Sequence, residues 1–403
     1  MKKLISFLVI LGATLSASAA IKFPKFRAQE IDKIEIGYGV QLADVDGDGK
    51  TDIVLADKRE FAWYQNPSWK KHILTGHLTE RDHVCVAARD IDGDGKAEIA
   101  VGGQWNPGET TDEEKSGAVF YLIPPDDRTK KWTPVKLKHE PTVHRMDWAR
   151  VPGGDYNLIV APLHGRGNKG GAGKGARIMG YEVPSDPKGD WSRYTIDESF
   201  HKTHNFDVVR PGEGASIDYD IIAIAGAEGL AFIVYEDGAV KRMAPIGHEA
   251  GDPSHLGMGE IRAGNMTAND KYGVSVEPIH GNQLVIYRKA AEGSGGGPIV
   301  RDVLFDGMAD GHALATGDLL GTGMDQIVVG WRGNRRHPKN IGIRLYAPVD
   351  DAGEAWEFTT VDKEGMACED LKIADLNGDG RPDIVACGRA TKNVKIYWNE
   401  GRE

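Results

Sequence analysis

The stretch Asp44-Val45-Asp46-Gly47-Asp48-Gly49-Lys50-Thr51-Asp52 carries carboxylates at the first, third, fifth and ninth positions of a short loop. Apolar runs flank it, and Ile53-Val54-Leu55 follows directly. Oxygen ligands at alternating positions around glycine turns are typical of calcium-binding loops, and two apolar runs joined by a short turn predict a β-hairpin. We therefore predict a hairpin whose turn binds calcium.

Two further copies of this loop run from Asp90 to Glu98 and from Asp375 to Asp383. An acidic turn without metal is the alternative interpretation, but three copies with one spacing favour about three structural calcium sites. A related loop from Asp318 to Asp325 lacks the middle carboxylates and is expected to bind nothing. The predicted side-chain ligands are Asp44, Asp46, Asp48, Asp52, Asp90, Asp92, Asp94, Glu98, Asp375, Asn377, Asp379 and Asp383.

The loop also recurs in degenerate form, which gives seven units along the chain. Each unit has apolar strands on both sides of the loop, then a third strand that contains a tyrosine, and in six units a fourth strand. Four strands in a repeat of 46 to 60 residues are typical of a propeller blade. We predict an all-β, seven-bladed β-propeller over residues 20–403. The first positions of the seven loops are Asp44, Asp90, Arg150, Arg210, Asn265, Asp318 and Asp375.

The two ends of the chain explain how this ring closes. The last unit stops after its third strand, from Val394 to Trp398, and an unpaired strand from Phe26 to Ile31 precedes the first unit. The N-terminal strand can therefore complete the last blade, which removes the exposed sheet edge that an open array would keep.

Residues 1–19 combine two lysines, a short apolar run and Ala17-Ser18-Ala19, which predicts a signal peptide and export to the periplasm or the exterior. No apolar run is long enough to span a membrane. The net charge is −11 and no basic patch is interleaved with aromatic residues, so nucleic acid is not an expected partner. We expect a monomer.

The Asp-x-Asp-Gly-Asp-Gly loop with its flanking strands resembles the FG-GAP/VCBS repeat family, known from integrin α-subunit heads and exported bacterial proteins. The resemblance covers residues from about 36 to 398. It implies a calcium-stabilised propeller. Because this fold hosts adhesion, ligand binding and catalysis alike, the resemblance leaves the function open.

The histidines concentrate on the face opposite the acidic loops, which we call the mouth face. His144, His204 and His312 each lie six residues before the first loop position of their unit, Glu369 occupies the same place in the last unit, and His83 lies seven residues before Asp90. These side chains should ring the mouth of the central channel. The loops between second and third strands add Trp105, His164, Arg166, Glu228, His280, Trp331, Arg332 and Arg389.

This combination predicts a polar site with acid–base chemistry. Imidazole exchanges protons near neutral pH, and arginine stabilises an enolate or binds a carboxylate. Proton abstraction beside a carbonyl, followed by loss of a β-substituent, fits these groups. Predicted catalytic residues are His144, His164, His204, Arg166, His312 and Arg332, and predicted substrate-binding residues are Trp105, Glu228, His280, Trp331, Arg389 and Glu369. A divalent metal such as Zn²⁺ on His83, His280 and His312 is a further hypothesis.

A second resemblance concerns His144-Arg-Met-Asp-Trp148 and the stretch from Ala161 to Lys169, which contains His164 and Arg166. Both are similar to the propeller of aldos-2-ulose dehydratases, and the histidine spacing is similar to propeller-type polysaccharide lyases. The resemblance implies a carbon–oxygen lyase that eliminates a substituent from a keto-sugar or uronate, with His144, His164 and Arg166 in proton transfer and substrate clamping. A non-catalytic carbohydrate-binding or adhesion propeller is the alternative.

Overall fold

The computed structural model describes residues 20–168, 170–212, 215–236, 238–243, 257–267, 270–290 and 298–402. The predicted signal peptide lies outside these residues, as do Lys169, His248 and His255. Within the described ranges, no helix has both the length and the apolar composition needed to cross a membrane.

Seven four-stranded antiparallel sheets follow one another along the chain. In each sheet one strand lines the central channel and three strands follow outward. The inner strands are β2 (Gly39–Ala43), β6 (Cys85–Arg89), β10 (Val143–Arg150), β14 (Thr203–Val209), β18 (Glu260–Thr267), β22 (Gly311–Gly317) and β26 (Cys368–Ala374). The second strands are β3 (Asp52–Ala56), β7 (Glu98–Gly102), β11 (Tyr156–Pro162), β15 (Ile221–Gly226), β19 (Asp270–Glu277), β23 (Gln326–Trp331) and β27 (Asp383–Gly388).

The outer half of each blade is less buried. The third strands are β4 (Glu60–Gln65), β8 (Val119–Ile123), β12 (Ile178–Glu182), β16 (Gly229–Glu236), β20 (Gln283–Lys289), β24 (Gly342–Pro348) and β28 (Asn393–Asn399). The outermost strands are β1 (Phe26–Lys33), β5 (Lys70–Gly76), β9 (Thr133–Leu137), β13 (Arg193–Asp197), β17 (Ala239–Met243), β21 (Ile299–Phe305) and β25 (Trp356–Asp362).

The predicted seven-bladed ring, closed by the N-terminal strand, is confirmed. Neighbouring inner strands contact one another around a full circle, including β2 against β26. Strand β1 pairs antiparallel with β28, from Phe26 opposite Asn399 to Lys33 opposite Asn393. The last blade therefore takes its outer strand from the N-terminus and its other three strands from the C-terminus.

The core lies between adjacent blades, and this explains the sequence pattern of the second strands. Every residue of β3, β7 and β27 is buried, because each of these strands is covered by a blade on both faces. They therefore read as continuous apolar runs rather than as alternating strands. Burial of each large aliphatic side chain contributes about 1.5–3 kcal/mol.

Four inner strands contain a β-bulge at the mouth end, where their pairing with the second strand skips one residue. The register shifts between Val143 and Arg145, Thr203 and Asn205, Gly311 and Ala313, and Cys368 and Asp370. A bulged residue leaves the ladder and its side chain is re-aimed. Strands β2 and β6 keep a regular register instead. The four skipped residues are His144, His204, His312 and Glu369.

Candidate functional site

A pocket of about 180 Å³ lies at the channel mouth, and all four bulge residues line it. This volume is below the usual range for ligand sites, roughly 300–1,000 Å³, so the pocket has room for one small ligand. The loops between second and third strands contribute Trp105, His280, Arg332 and Arg389. The structure thus brings together eight of the side chains that the sequence assigned to the site, namely His144, His204, His312, Glu369, Trp105, His280, Arg332 and Arg389.

Backbone carbonyl groups fix the orientation of three imidazoles. Nδ1 of His144 lies 2.8 Å from the carbonyl oxygen of His204, and Nδ1 of His204 lies 2.7 Å from that of Gly259. Nδ1 of His312 lies 2.6 Å from the carbonyl oxygen of Glu369. A carbonyl oxygen only accepts, so each Nδ1 carries the hydrogen and each neutral ring keeps its lone pair on Nε2. Each acceptor belongs to the equivalent position of the next blade, so the repeat itself sets the tautomers.

His204, His280 and His312 form a compact cluster. One ring nitrogen of each lies within 4.8 Å of the other two. Nε2 of His204 is 2.6 Å from Nε2 of His280, and because the former holds a lone pair, His280 donates its Nε2 hydrogen to His204. Imidazoles whose other N–H is fixed by a carbonyl are typical metal ligands. Two nitrogens bound to one tetrahedral Zn²⁺ are about 3.4 Å apart, so a small ring rotation would admit an ion.

Burial keeps these imidazoles neutral. Burial, with a further contribution from Arg145, lowers the pKa of His204 to about 3. The same two causes hold the pKa of His144 well below its ordinary value, and burial followed by Arg332 does so for His312. A neutral ring can accept a proton or bind a metal, whereas an imidazolium can do neither.

An arginine–carboxylate cluster forms the adjoining wall. Arg332 donates to Oε2 of Glu369 at 2.6 Å, and Arg389 donates to Oε1 of the same carboxylate at 3.0 Å. Arg332 also donates from Nε to Asp310 at 2.9 Å. The carboxylate of Glu369 is almost fully buried. Two guanidinium groups are thereby held rigidly beside the imidazoles, where they can meet a negative charge.

Aromatic rings supply the apolar part of the pocket. The ring of Trp105 stacks on His144, with centroids 4.9 Å apart and an interplanar angle of 27°. Tyr38 lies beneath the guanidinium of Arg389, 5.2 Å from its ring centroid, and donates its hydroxyl to Asp82 at 2.9 Å. Burial raises the pKa of Tyr38, so its hydroxyl stays protonated.

Backbone strain marks the same loops. Gln104, His280 and Asp310 have φ angles of 57°, 54° and 64°, in the left-handed region that favours glycine. Each such residue costs roughly 1–3 kcal/mol, and such residues cluster at functional sites. Gln104 directly precedes Trp105, and Asp310 accepts a hydrogen bond from Arg332. Two of the strained residues therefore help to position side chains that line the pocket.

His83 does not join the cluster, which corrects the hypothesis that it shares a metal with His280 and His312. Its ring is fully buried and stacks on Phe61, with centroids 4.2 Å apart. Its inner strand has no bulge, and His83 lies one residue farther from its loop than the other histidines. The ring therefore packs within the protein core, and His204 takes its place in the cluster.

His164 and Arg166 lie outside the pocket lining, contrary to the sequence-based assignment. His164 forms a single backbone bridge with Lys202, and its own side chain does not line the pocket. Arg166 is held by two ion pairs, at 2.8 Å to Glu113 and 3.2 Å to Glu140. Both residues come from the expected loop, but neither side chain lines the pocket.

Glu228 and Trp331 are also outside the pocket. Glu228 accepts a hydrogen bond from Nδ1 of His201 at 2.7 Å on the surface. Trp331 is buried against Phe305 and donates its indole N–H to Asn340 at 2.8 Å. Sequence position alone gave no sign of this, because Glu228 lies in a loop equivalent to that of His280, and Trp331 directly precedes Arg332 at the end of β23.

Sequence reasoning missed three residues that complete the site. Arg145 and Lys202 line the pocket, and Asp310 orients Arg332. The positions of these three side chains depend on the bulges and on loop packing. Tyr38 lines the pocket as its register predicts, because it occupies in the first blade the place that His144 occupies in the third.

Two family descriptions match the chain. Residues 44–101 match the FG-GAP-like repeat, and residues 116–290 match the aldos-2-ulose dehydratase β-propeller domain. Aldos-2-ulose dehydratase from Phanerodontia chrysosporium is 26% identical over 388 residues. The chain therefore resembles the propeller of aldos-2-ulose dehydratase. The match covers 90% of this chain and 41% of the dehydratase, so the chain spans about two fifths of that relative's length.

The segment that resembles the dehydratase propeller domain carries only part of the pocket. His144, His204 and His280 lie within residues 116–290, whereas His312 and Glu369 follow it. Solved propellers of low identity share the architecture. A chain of the mitotic checkpoint complex has a TM-score of 0.56 at 12% identity, covering 98% of both chains. Streptogramin B lyase has a TM-score of 0.53 at 13% identity, covering 93% of this chain and 97% of its own. These two matches show the fold alone.

The acidic loops lie at the opposite end of the inner strands, on what we call the acidic-loop face. In the first loop the carboxylate of Asp44 accepts from the backbone N–H groups of Gly47 and Gly49, both at 2.7 Å. Gly47 and Gly49 have φ angles of 80° and 82°, a conformation that requires glycine. Carboxylate oxygens converge within 4.8 Å in the loops of the first and second blades, from Asp44, Asp46 and Asp48 and from Asp90, Asp92 and Asp94.

The ninth loop position is structurally distinct. Asp52 is fully buried and accepts backbone N–H groups of Val45 at 2.9 Å and Asn66 at 2.8 Å. Burial raises the pKa of Asp52 to about 7. Asp383 repeats this arrangement with Leu376 and Asn399, whereas Glu98 accepts from the backbone N–H of Ile91 and pairs with Arg128. Burial raises the pKa of Glu98 to about 7 and that of Asp383 to about 6. These carboxylates join the loop to the hairpin behind it.

Proposed function

We propose that this protein is an exported carbon–oxygen lyase that carries out β-elimination on an oxidised sugar, a keto-sugar or a uronate, in the channel pocket. One observation carries the proposal: imidazoles whose Nε2 holds a lone pair lie beside two guanidinium groups in a small pocket. The resemblance to the dehydratase propeller supports a carbohydrate substrate.

In this proposal the two arginines bind the oxidised end of the sugar. Arg332 and Arg389 are held by the buried carboxylate of Glu369, so their remaining N–H groups have fixed directions. A carbonyl or carboxylate oxygen placed against them gains charge as the enolate forms, and this is where preorganised cations lower the barrier most. Trp105 and Tyr38 supply the apolar walls against which a sugar ring packs.

The imidazoles then carry the proton. Nε2 of His144 or His204 takes the proton from the carbon next to the carbonyl, and the electron pair of that C–H bond becomes the enolate. The enolate collapses to a carbon–carbon double bond as the C–O bond of the β-substituent breaks. The leaving oxygen keeps the bonding electrons and takes the proton from the imidazolium formed in the first step, either directly or through His280, whose Nε2 lies 2.6 Å from Nε2 of His204. General acid–base steps of this kind contribute about 10²–10⁴-fold each.

His204, His280 and His312 fit a divalent metal such as Zn²⁺, because they offer three nitrogens within 4.8 Å and a carbonyl fixes the tautomer of two of the rings. When bound, such an ion would take the lone pairs of these three rings, supply Lewis-acid polarisation of an oxygen and leave His144 as the base. Zinc content after dialysis, compared between the wild type and His280→Ala, tests this part: the proposal expects about one equivalent in the former and much less in the latter.

Structural calcium belongs to the same proposal. Carboxylate oxygens converge in the loops of the first and second blades, and the seventh blade repeats the loop sequence. These loops lie on the face opposite the pocket, so calcium there would stabilise hairpins and take no part in the chemistry. The predicted signal peptide fits a compartment in which calcium is available.

The decisive experiment is an ultraviolet assay, since elimination from a 3-keto-sugar or a uronate gives a conjugated, absorbing product. A panel of 3-ketoglycosides and polyuronates is incubated with the wild type and with His204→Ala. We expect turnover of at least one substrate by the wild type and none by the variant. Sugar binding without any absorbing product from the panel would favour a non-catalytic carbohydrate-binding propeller instead.

A further inference from the structure

A second cleft lies on the acidic-loop face, at the seam where the first and last blades meet. Its volume is about 650 Å³, within the range of ligand sites and well above that of the channel pocket. The acidic loops of the two blades, the turn between β4 and β5, and the paired strands β1 and β28 enclose it. Its lining includes Arg27, Gln29, Ser68, Trp69, Asn377 and Trp398 and shares no residue with the channel pocket.

Two half-buried indoles form a corner of this cleft. The ring centroids of Trp69 and Trp398 are 6.1 Å apart and their planes are inclined by 52°. Trp398 donates its indole N–H to Oε1 of Gln29 at 2.8 Å, and the guanidinium of Arg27 lies 5.7 Å from its ring centroid. These contacts fix the ring orientation before any ligand arrives.

Trp69 occupies a backbone conformation that suits glycine. Its φ is 55°, at the end of the turn between the third and fourth strands. The corresponding turns of the fourth and sixth blades have glycine in this conformation, Gly238 at 77° and Gly353 at 65°. A non-glycine residue here costs roughly 1–3 kcal/mol, and the indole of Trp69 packs with one side against the core between the first and last blades. At the channel pocket, His280 and Asp310 have the same left-handed backbone conformation.

We propose that this cleft is a carbohydrate-binding site that holds a pyranose unit against Trp69 and Trp398. A pyranose has apolar C–H faces and a rim of hydroxyl groups. The indole faces match the C–H faces, and the guanidinium of Arg27 with the amide of Gln29 matches the hydroxyl groups. The inference goes beyond the lyase proposal, because the cleft lies on the opposite face and can bind whether or not the channel is catalytic.

The test is calorimetric titration of the full chain with cellohexaose, laminarihexaose and maltohexaose, three glucose hexamers that differ in linkage. We expect saturable binding of at least one, weakened at least tenfold by Trp69→Gly and by Trp398→Ala. Glycine accepts the φ of Trp69 without strain, so Trp69→Gly should stay folded, which circular dichroism checks. The matched control is Phe358→Ala, which removes an exposed aromatic ring from an outer strand and should leave binding unchanged.

Three results would overturn the inference. The first is no binding of any hexamer by the wild type at millimolar concentration, and the second is undiminished binding by folded Trp69→Gly and Trp398→Ala. The third is loss of hexamer binding in His204→Gln, which would place the sugar in the channel. Failure of the lyase assay leaves the cleft untouched, so the two proposals fail separately.

Discussion

At the scale of single residues, hydrogen bonds to backbone carbonyl groups decide what the histidines can do. Nδ1 of His204 donates to the carbonyl oxygen of Gly259, and Nε2 of the same ring, which holds the lone pair, faces Nε2 of His280. An imidazole held in this way is preorganised both as a base and as a ligand, since its orientation and tautomer are set before the substrate binds.

We expect His204→Gln to lower the elimination rate at least 100-fold, because glutamine keeps the polarity of the site but cannot accept the proton. His337→Gln is the matched control, since His337 is exposed on a loop of the same face. Initial rates in the ultraviolet assay measure both variants. Equal rates for His204→Gln and the wild type would remove His204 from the mechanism.

The structure and the sequence assign different roles to His164: the sequence predicts a catalytic residue, whereas the structure places it outside the pocket. Its side chain does not line the pocket, so His164→Ala should retain activity within about threefold of the wild type, the range of a surface change rather than of the loss of a general acid. If this variant instead loses activity as severely as His204→Gln, the loop must close over the pocket during turnover.

At the scale of elements, one hairpin unit serves two purposes at its two ends. The turn after the inner strand holds carboxylates, and the bulge at the start of that strand projects a side chain into the channel. The bulge leaves the strand pairing intact on both sides, so the blade keeps its core while one position becomes free for function.

Calcium binding can be tested loop by loop. Asp92→Ala should remove about one calcium equivalent per chain and reduce the rise in Tm that calcium produces, because the loop loses a converging oxygen. Asp318→Ala is the control, since its loop lacks the middle carboxylates and should leave the calcium count unchanged. Elemental analysis and thermal melts with and without a chelator provide the readout, and an unchanged count in Asp92→Ala would contradict the assignment.

At the scale of the whole molecule, ring closure makes every blade depend on its neighbours. Strand β1 supplies the outer edge of the last blade along its full length. Without it, β28 would present an unpaired edge and the apolar side chains beneath it would be exposed.

We therefore expect deletion of residues 20–33 to abolish cooperative unfolding or to lower Tm by more than 10 °C, because the loss spans one entire strand. A chain that lacks only residues 1–19 is the control and should melt as a single transition. Restoration of the truncated chain by an added peptide of residues 20–33 would show that the strand acts by pairing. A truncated chain that melts like the control would argue against closure by β1.

The sequence by itself determined the architecture. The acidic loops, the apolar runs of the second strands and the split last unit fixed seven blades and their closure, because local turn chemistry and burial on both faces leave a direct mark on residue order. The same repeat register located the channel mouth and placed His144, His204, His312 and Glu369 at it.

Only the tertiary structure decided which mouth residues form the site. His83 looked equivalent to the others but packs on Phe61, since its strand has no bulge. Arg166 is held by Glu113 and Glu140, whereas Arg332, from an equivalent loop, reaches Glu369. Bulges, ion pairs and loop directions depend on contacts between residues far apart in the chain. The repeat pattern in the sequence predicts which strand or loop carries a side chain. The packing of neighbouring blades decides which residues that side chain contacts.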